Sequence, residues 1–476
     1  MLAAAPVPPL ASHQVLVFLL QVAVLLLLAL CLGRLASRFG LPAVVGELLA
    51  GVLLGPSLLA QLAPGFSEWL LPREPAQMHL LDAVSQMAVL LLVGITGVQV
   101  DLGVLQRRRR TAIRVSLAGL LVPLALGVAT GYVLVDSLMP GGTDRSVFAM
   151  FFGVAMCVSA IPVIAKTLTD MGLLHRDVGQ LTLAAGTIDD AVGWFLLSIV
   201  SAMATAGLHA GSVSLSVLYL VGFVAAAWFI GRPVVRFLLR LATRSTESGV
   251  TIAITVVIIL LGGVSTHALG MEAVFGAFVA GVLVGTPGAA DPARLAPLRT
   301  MVQWVLAPLF LASAALRMDL TALRHGEVLV GAIVALFIAV LGKFAGAYIG
   351  ARTSQLTKWE GLALGAGMNA RGVVQMVVAT VGLRIGVLDT ASYTIILFVA
   401  IATSVTAPPL LRMAMARVEH SAEEQLRKSE HDETWSTAEP RPPKCASATP
   451  RSAESPPGTS CTSPAKTPPS TPASPT

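Results

Sequence analysis

Thirteen apolar runs follow one another between residues 14 and 413, each near the length that crosses a bilayer, with short polar connections between them. About 20 apolar residues, rising 1.5 Å each, match a hydrocarbon core of about 30 Å, where helices satisfy every backbone N–H and C=O internally. The pattern therefore predicts an all-α polytopic membrane protein. Its expected transmembrane helices are 14–36, 42–60, 79–100, 112–136, 147–169, 178–204, 212–240, 248–267, 270–286, 299–316, 326–350, 360–383 and 391–413. Hydrophobic residues make up 55% of the chain and charged ones only 12%, which excludes a soluble globular domain.

The net charge of +6 is spread over connecting loops rather than gathered on one polar face, so no nucleic-acid partner is expected; membrane lipid is the expected surroundings. Alternate loops carry the Lys and Arg: Arg34 and Arg38, Arg107 to Arg110 with Arg114, Arg176, then Arg236, Arg240 and Arg244, then Arg294 and Arg299, then Arg352 and Lys358. The positive-inside rule places those loops in the cytoplasm, the amino terminus outside and the carboxyl terminus inside a plasma membrane. The apolar run from His13 to Leu35 lacks a basic residue before it and is longer than a signal-peptide core, so it reads as a retained helix. Cys31, Cys157, Cys445 and Cys461 form no CxxC or Cys/His spacing, and neither disulfides nor zinc are expected. The composition divides the chain into a membrane domain, 1–415, and a Ser/Thr/Pro-rich tail, 416–476, expected to be disordered. No strand followed by GxGxxG is present, so no nucleotide-binding domain is expected.

The stretch "GTIDDAVGWFLL", residues 186–197, sets Asp189 and Asp190 within an apolar helix. Each charge at a helix centre costs roughly 2.5–3.5 kcal/mol on insertion scales, so the pair demands hydration or a partner. Neighbours on a helix point about 100° apart, which lets both acids line one cavity without facing each other. A cation is available in "AVLGKFAGAYIGA", where Lys343 lies in mid-helix; Asp189 or Asp190 is expected to pair with it. Two stretches at comparable depth interrupt their helices. In "MCVSAIPVIAKTLTDMG" Pro162 removes a backbone donor and disfavours helix at Ile161, while Ser159 offers a hydroxyl to the freed backbone. In "GAGMNARGVVQMVV" Gly365, Gly367 and Gly372 loosen the helix around Asn369 and Arg371. Interrupted helices in the two halves of a transporter point to a binding site built from half-helix ends. Arg371 at such a break suits neutralising carbonyl ends more than touching an ion.

These stretches, in order, resemble the second monovalent cation:proton antiporter family, the sodium/hydrogen exchanger group with its Kef-type, Nap-type and plant members. The resemblance runs through "LPAVVGELLAGVLLGPSLL" (41–59), "LLVGITGVQVDL" (91–102), "SAIPVIAKTLTDMGLL" (159–174), "TIDDAVGW" (187–194), "GMEAVFGAFVAGVLVG" (270–285), "APLFLASAALRMDL" (307–320), "GKFAGAYIGAR" (342–352) and "MNARGVVQ" (368–375). It implies an inverted-repeat antiporter fold of thirteen helices, with a panel domain that dimerises and a core domain with two crossing broken helices. It implies that Asp190 binds proton and cation alternately, that Asp189 exchanges a salt bridge with Lys343, and that exchange is electrogenic. Gln375 stands where many relatives have Glu, Ala370 where many have Thr, and Glu272 where a His or another polar group is common; Glu272 and Gln375 are therefore accessory candidates.

The expected activity is exchange of a monovalent cation, Na+ before K+ or Li+, for H+ by alternating access, with no enzymatic step and no cofactor beyond the transported ions. Asp190 and Asp189, with Ser159, Thr187 and freed carbonyls, supply the oxygen ligands that suit an alkali ion. Two readings compete on related folds: a Kef-like K+ efflux system, which usually pairs its Asp with a neutral residue, and a sodium-coupled organic-anion symporter. An intramembrane aspartyl protease needs acids facing each other from separate helices, and these are neighbours on one.

Overall fold

A computed structural model describes residues 11–72, 74–100, 109–134, 138–206, 210–244, 247–289, 291–419 and 424. The basic residues Arg107 and Arg108 and the tail from 425 onward lie outside the described residues. The architecture is all-helical among the described residues. In chain order the main helices are α1 (Ser12–Arg38), α2 (Ala43–Leu54), α3 (Pro75–Val98), α4 (Arg109–Val133), α5 (Arg145–Cys157), α6 (Ile161–Asp170), α7 (Asp177–Ala206), α8 (Ala210–Ala226), α9 (Arg232–Ala242), α10 (Ser248–Ala268), α11 (Ala273–Val284), α12 (Pro292–Met301), α13 (Ala307–Ala315), α14 (Gly326–Thr353), α15 (Lys358–Met368), α16 (Val373–Arg384) and α17 (Thr390–Met415). Single π-turns join α8 to α9 at Ala227–Gly231 and α12 to α13 at Val302–Leu306.

Among the described residues, eleven helical segments are long and apolar enough to cross a membrane, and the bent pair α15–α16 makes a twelfth. The expected thirteenth, 270–286, falls to α11, whose 12 residues span only about 18 Å at 1.5 Å each. Eleven or twelve segments of the described residues thus meet that length, and α11, the repeat equivalent of α2, lies within the remaining expected span.

Two halves of the chain repeat the same local geometry. After α1, Gly40 takes φ +73° and the Leu41 N–H bonds back to the Ala36 carbonyl. After α10, Gly270 takes φ +74° and the Met271 N–H bonds back to the Thr266 carbonyl. Both turns need the left-handed conformation that glycine supplies without steric penalty. Gly46, Gly51 and Gly55 then match Gly276, Gly281 and Gly285, each 230 positions later. Those pairs also pack alike. A Cβ on Gly46 would lie 2.1 Å from the Leu32 carbonyl oxygen, and one on Gly276 2.0 Å from that of Gly262. A Cβ on Gly51 would meet the Ala312 oxygen at 2.0 Å, and one on Gly281 that of Gly94 at 2.0 Å. So α2 lies against α13, the third segment of the second half, while α11 lies against α3, the third segment of the first. Further on, Gly172 after α6 (φ +63°) and Gly386 after α16 (φ +75°) correspond at an offset of 214. Among the described residues seven spans precede α10, an odd number, so the second repeat enters the membrane from the opposite side.

The helices group into two bundles. One, the panel, packs α1, α2 and α3 with α10, α11, α12 and α13; the other, the core, packs α4 to α7 with α14 to α17. Within the core, α14 lies directly on α4, so close that a Cβ on Gly346 would be 2.3 Å from the Ala118 oxygen. That approach brings Lys343, 0% exposed, from α14 toward the interior of the core.

Candidate cation and proton site

The two breaks meet. Val158 to Ala160 leave the helix between α5 and α6, and Asn369 to Gly372 separate α15 from α16, whose axes bend by 47°. Pro162 was expected to open the first break at Ile161; instead Ile161 begins α6 and Pro162 sits in its first turn. There a missing N–H costs nothing, because the first four helical N–H groups have no intrahelical partner anyway. The Ala160 N–H donates to the Ala370 carbonyl at 3.2 Å, joining one break to the other. Gly372 is required here by closeness and not by φ: a Cβ on it would lie 2.6 Å from Val163 Cγ2.

Breaking a helix leaves carbonyls at one end unbonded, with the negative end of the helix dipole. Arg371 answers that need. Its guanidinium, fully buried, donates to the carbonyls of Ala155 (3.1 Å) and Met156 (2.6 Å) at the end of α5, and to Ala339 of α14 (3.2 Å). The Arg371 carbonyl in turn accepts from Ser404 Oγ at 2.5 Å. Ser404 stands 214 positions after Asp190, so in the second half a hydroxyl braces the break where the first half carries an acid.

The two acids of α7 differ sharply in surroundings. Asp189 is fully held: Oδ1 accepts from Ser116 Oγ of α4 at 2.7 Å, and Oδ2 accepts from Lys343 Nζ at 2.7 Å and from Ser159 Oγ at 2.9 Å. The Lys343–Asp189 ion pair is 0% exposed on both sides. Ser159 Oγ lies equally 2.9 Å from the Met368 carbonyl, so one hydroxyl proton is shared between the acid and the end of α15. Asp190, 1% exposed, has no side-chain partner on either oxygen; the backbone N–H of Ile161, at the open start of α6, faces it. A buried ionised carboxylate without partners is strongly disfavoured, so this group calls for a proton or a cation.

The remaining predicted residues take several positions. Asn369, at the end of α15 in the second break, is 0% exposed with both amide atoms unpartnered. Thr187 turns its hydroxyl back to the Leu183 carbonyl at 2.9 Å, leaving only its lone pairs for other use. Gln375 donates from Nε2 to the Ile396 carbonyl at 3.0 Å and keeps a buried, unpartnered Oε1. Glu272, just before α11, makes no helix cap; it pairs with Arg384 at 2.8 Å, away from the acids. Sequence reasoning missed Ser116, a lone serine 73 positions from Asp189 in an ordinary apolar helix, where nothing marks it. It also missed Ser404, which the repeat offset from Asp190 points to.

An inverted repeat with two crossed, broken helices beside a buried acidic pair defines the class of secondary transporters that bind ions at half-helix ends. The chain belongs to the family described as "Sodium/hydrogen exchanger, transmembrane", whose profile matches residues 23–416. It is 28% identical over 402 residues to the Na(+)/H(+) antiporter NhaS4 of Synechocystis, covering 84% of this chain and 97% of that one. It is 27% identical to the Na(+)/H(+)-K(+) antiporter GerN of Bacillus cereus over 83% of this chain and 95% of that protein. To the Cation/H(+) antiporter 17 of Arabidopsis thaliana it is 28% identical over 84% of its own length, spanning 48% of that relative. In fold it is similar to the sodium proton antiporter MjNhaP1 of Methanocaldococcus jannaschii, with TM-score 0.61 and 14% identity over 85% of this chain and 99% of the other.

Proposed function

We propose that the protein exchanges a monovalent cation, Na+ in first place, for H+ by alternating access, with Asp190 as the site for which the two ions compete. The observation that carries this is the contrast between neighbours: Asp189 is held by three side-chain donors, whereas Asp190 is equally buried and held by no side chain. Protonated, Asp190 is neutral and tolerates the interior. Ionised, it takes a cation, with oxygen from Asn369 Oδ1 and Ser159 in the two breaks and from Thr187 on α7. Asp189 keeps its charge through Lys343, and a cation drawn to the acids competes with the ammonium for it. The displaced Lys343 ammonium then releases its own proton, so that two protons move against one cation and exchange is electrogenic.

The names of the relatives, sodium/proton and cation/proton antiporters, support the ion class. Residence in a plasma membrane with the basic loops inside, and assembly as a homodimer through the panel bundle, belong to the same proposal. The test is proton flux in proteoliposomes with Na+, K+ or Li+ added in turn and the membrane potential clamped or imposed. Asp190→Asn is expected to abolish flux with every cation while the protein stays folded; cation-driven flux retained by that variant would sink the assignment.

A further inference from the structure

Asp190 begins a row. On α7, Asp190, Trp194, Ser198 and Ser201 fall within about 80° of one another at about 100° per residue. All four are buried; Trp194 Nε1, Ser198 Oγ and Ser201 Oγ have no hydrogen-bond partner, and the Asp190 oxygens have no side-chain one. Three other hydroxyls of this helix do what hydroxyls do in apolar helices. Thr182, Thr187 and Thr205 donate to the carbonyls of Val178, Leu183 and Ser201, four residues back. Ser198 and Ser201 do not, which leaves them for water or an ion. The row climbs about 16 Å from Asp190 to Ser201, roughly half the hydrocarbon thickness. It faces the seam between the bundles, since the Trp194 ring lies against Phe278 of α11, centroids 6.5 Å apart.

The seam is fastened at the membrane face where α7 ends and α11 begins. There Arg384 at the end of α16, in the core, reaches Glu272 at the start of α11, in the panel, at 2.8 Å. Two further hydrogen bonds cross the seam at this face: Tyr393 Oη to the Ala314 carbonyl (2.6 Å) and the Asp319 N–H to Thr394 Oγ1 (3.1 Å). Among the described residues, no ion pair joins the matching positions on the opposite face. The positions equivalent to Glu272 and Arg384, by the offsets of 230 and 214, are Pro42 and Asp170, and Asp170 pairs with Lys166 on its own helix. Arg384 is 45% and Glu272 9% exposed, so the pair sits at the edge of the seam with its guanidinium side open to solvent.

Resting on the antiport reading above, we infer that the Trp194–Ser198–Ser201 row lines the route by which water, protons and cations reach Asp190 from this face, and that the Glu272–Arg384 ion pair is the gate across it. The asymmetry gives the pair its effect. It favours closure of one face only, the outer one by the positive-inside rule, and so biases the resting protein toward the other.

The test places Ser198→Cys or Ser201→Cys in a full-length chain with Cys31, Cys445 and Cys461 replaced by Ser, keeping buried Cys157 as the internal control. A membrane-impermeant cationic thiol reagent is added from each side of sealed vesicles. Glu272→Gln and, separately, Arg384→Gln are expected to speed labelling from the gated face at least about fivefold. Asp82→Asn is expected to leave it unchanged, because its ion pair with Arg317 lies wholly within the panel. An unchanged rate in both gate variants, equal acceleration by Asp82→Asn, or labelling only from the opposite face would overturn the inference. Size-exclusion elution of each variant verifies folding, and the two gate variants break one contact from opposite sides. Failure of the antiport reading would show separately, as flux surviving Asp190→Asn.

Discussion

Lys343 Nζ stands 2.7 Å from Asp189 Oδ2, and this contact sets one of two adjacent buried carboxylates apart from the other. The ammonium neutralises Asp189, while Asp190 is equally buried without a side-chain partner, the contrast on which its proposed role as exchange site rests. Removing one member of a fully buried pair leaves the other charge stranded, which typically costs about 3–5 kcal/mol. Lys343→Met is therefore expected to lower the thermal midpoint of the detergent-solubilised protein markedly. Adding Asp189→Asn should restore much of the loss, since the stranded charge is then gone. A double variant no more stable than Lys343→Met alone would show that the pair does not act as a unit.

Ser116 supplies Asp189 Oδ1 with its only donor among the described residues. Ser116→Ala is expected to destabilise by about 1–3 kcal/mol, the usual penalty for leaving a buried acceptor without its partner. Ser116→Thr, which keeps the hydroxyl, should recover part of it. Thermal unfolding monitored by size-exclusion fluorescence gives both values, and equal losses for Ala and Thr would assign the effect to packing.

Arg371 bonds three carbonyls and reaches neither acid through a hydrogen bond. Its removal should abolish folding, because several buried acceptors lose their donors at once. Arg371→Lys keeps the charge while losing the fork, and is expected to fold with a lowered thermal midpoint. In that variant the half-saturating cation concentration should stay within about twofold of the parent, as measured in proteoliposomes. A tenfold rise, about 1.4 kcal/mol, would place Arg371 in the ion site instead of the scaffold.

The acids, the lysine and both breaks were legible because hydrocarbon makes an isolated charge or an open helix expensive, so each announces a partner or a cavity. Which acid takes Lys343 was not legible from the residues themselves, since the helical turn alone permits either; the position of Ser116 on α4 and of Ser159 in the break decides it. Thr187 has the composition of a ligand, but its rotamer serves the Leu183 carbonyl, and no sequence pattern fixes a rotamer. Proline was located correctly and its consequence was displaced: Pro162 starts α6 cleanly, and the opening lies at Val158 to Ala160. The repeat was half visible. Its glycines are spaced alike in both halves, yet their purpose emerges only from which carbonyl each one touches.

Those glycines carry a prediction about the panel. A methyl on Gly46, Gly51, Gly276 or Gly281 would sit 2.0–2.1 Å from a backbone oxygen of a neighbouring helix, where nothing flexible can give way. Each Gly→Ala there is expected to cost 3 kcal/mol or more, above the usual about 1–3 for overpacking, because helix axes must separate. Gly65→Ala and Gly249→Ala, with no atom within 4 Å of the added carbon, should be neutral or slightly stabilising. Yield of monodisperse protein and its thermal midpoint distinguish the two groups, and indifference at Gly276 would mean that α10 and α11 are not in contact as described.

Competition at one carboxylate fixes how exchange depends on pH. If Asp190 holds either a proton or a cation, acidification raises the apparent half-saturating cation concentration and leaves the maximal rate at saturating cation unchanged. In the range where the proton dominates, mass action sets the rise at about tenfold per pH unit. The sign follows directly: protons remove the form that binds the cation, so low pH is overcome by more cation and high pH is not. Two independent sites would instead lower the maximal rate on acidification at every cation concentration. Initial rates of dissipation of an imposed pH gradient, over a matrix of cation concentration and pH at clamped potential, separate the two, and a maximal rate that falls with acid at saturating Na+ would remove Asp190 as the shared site.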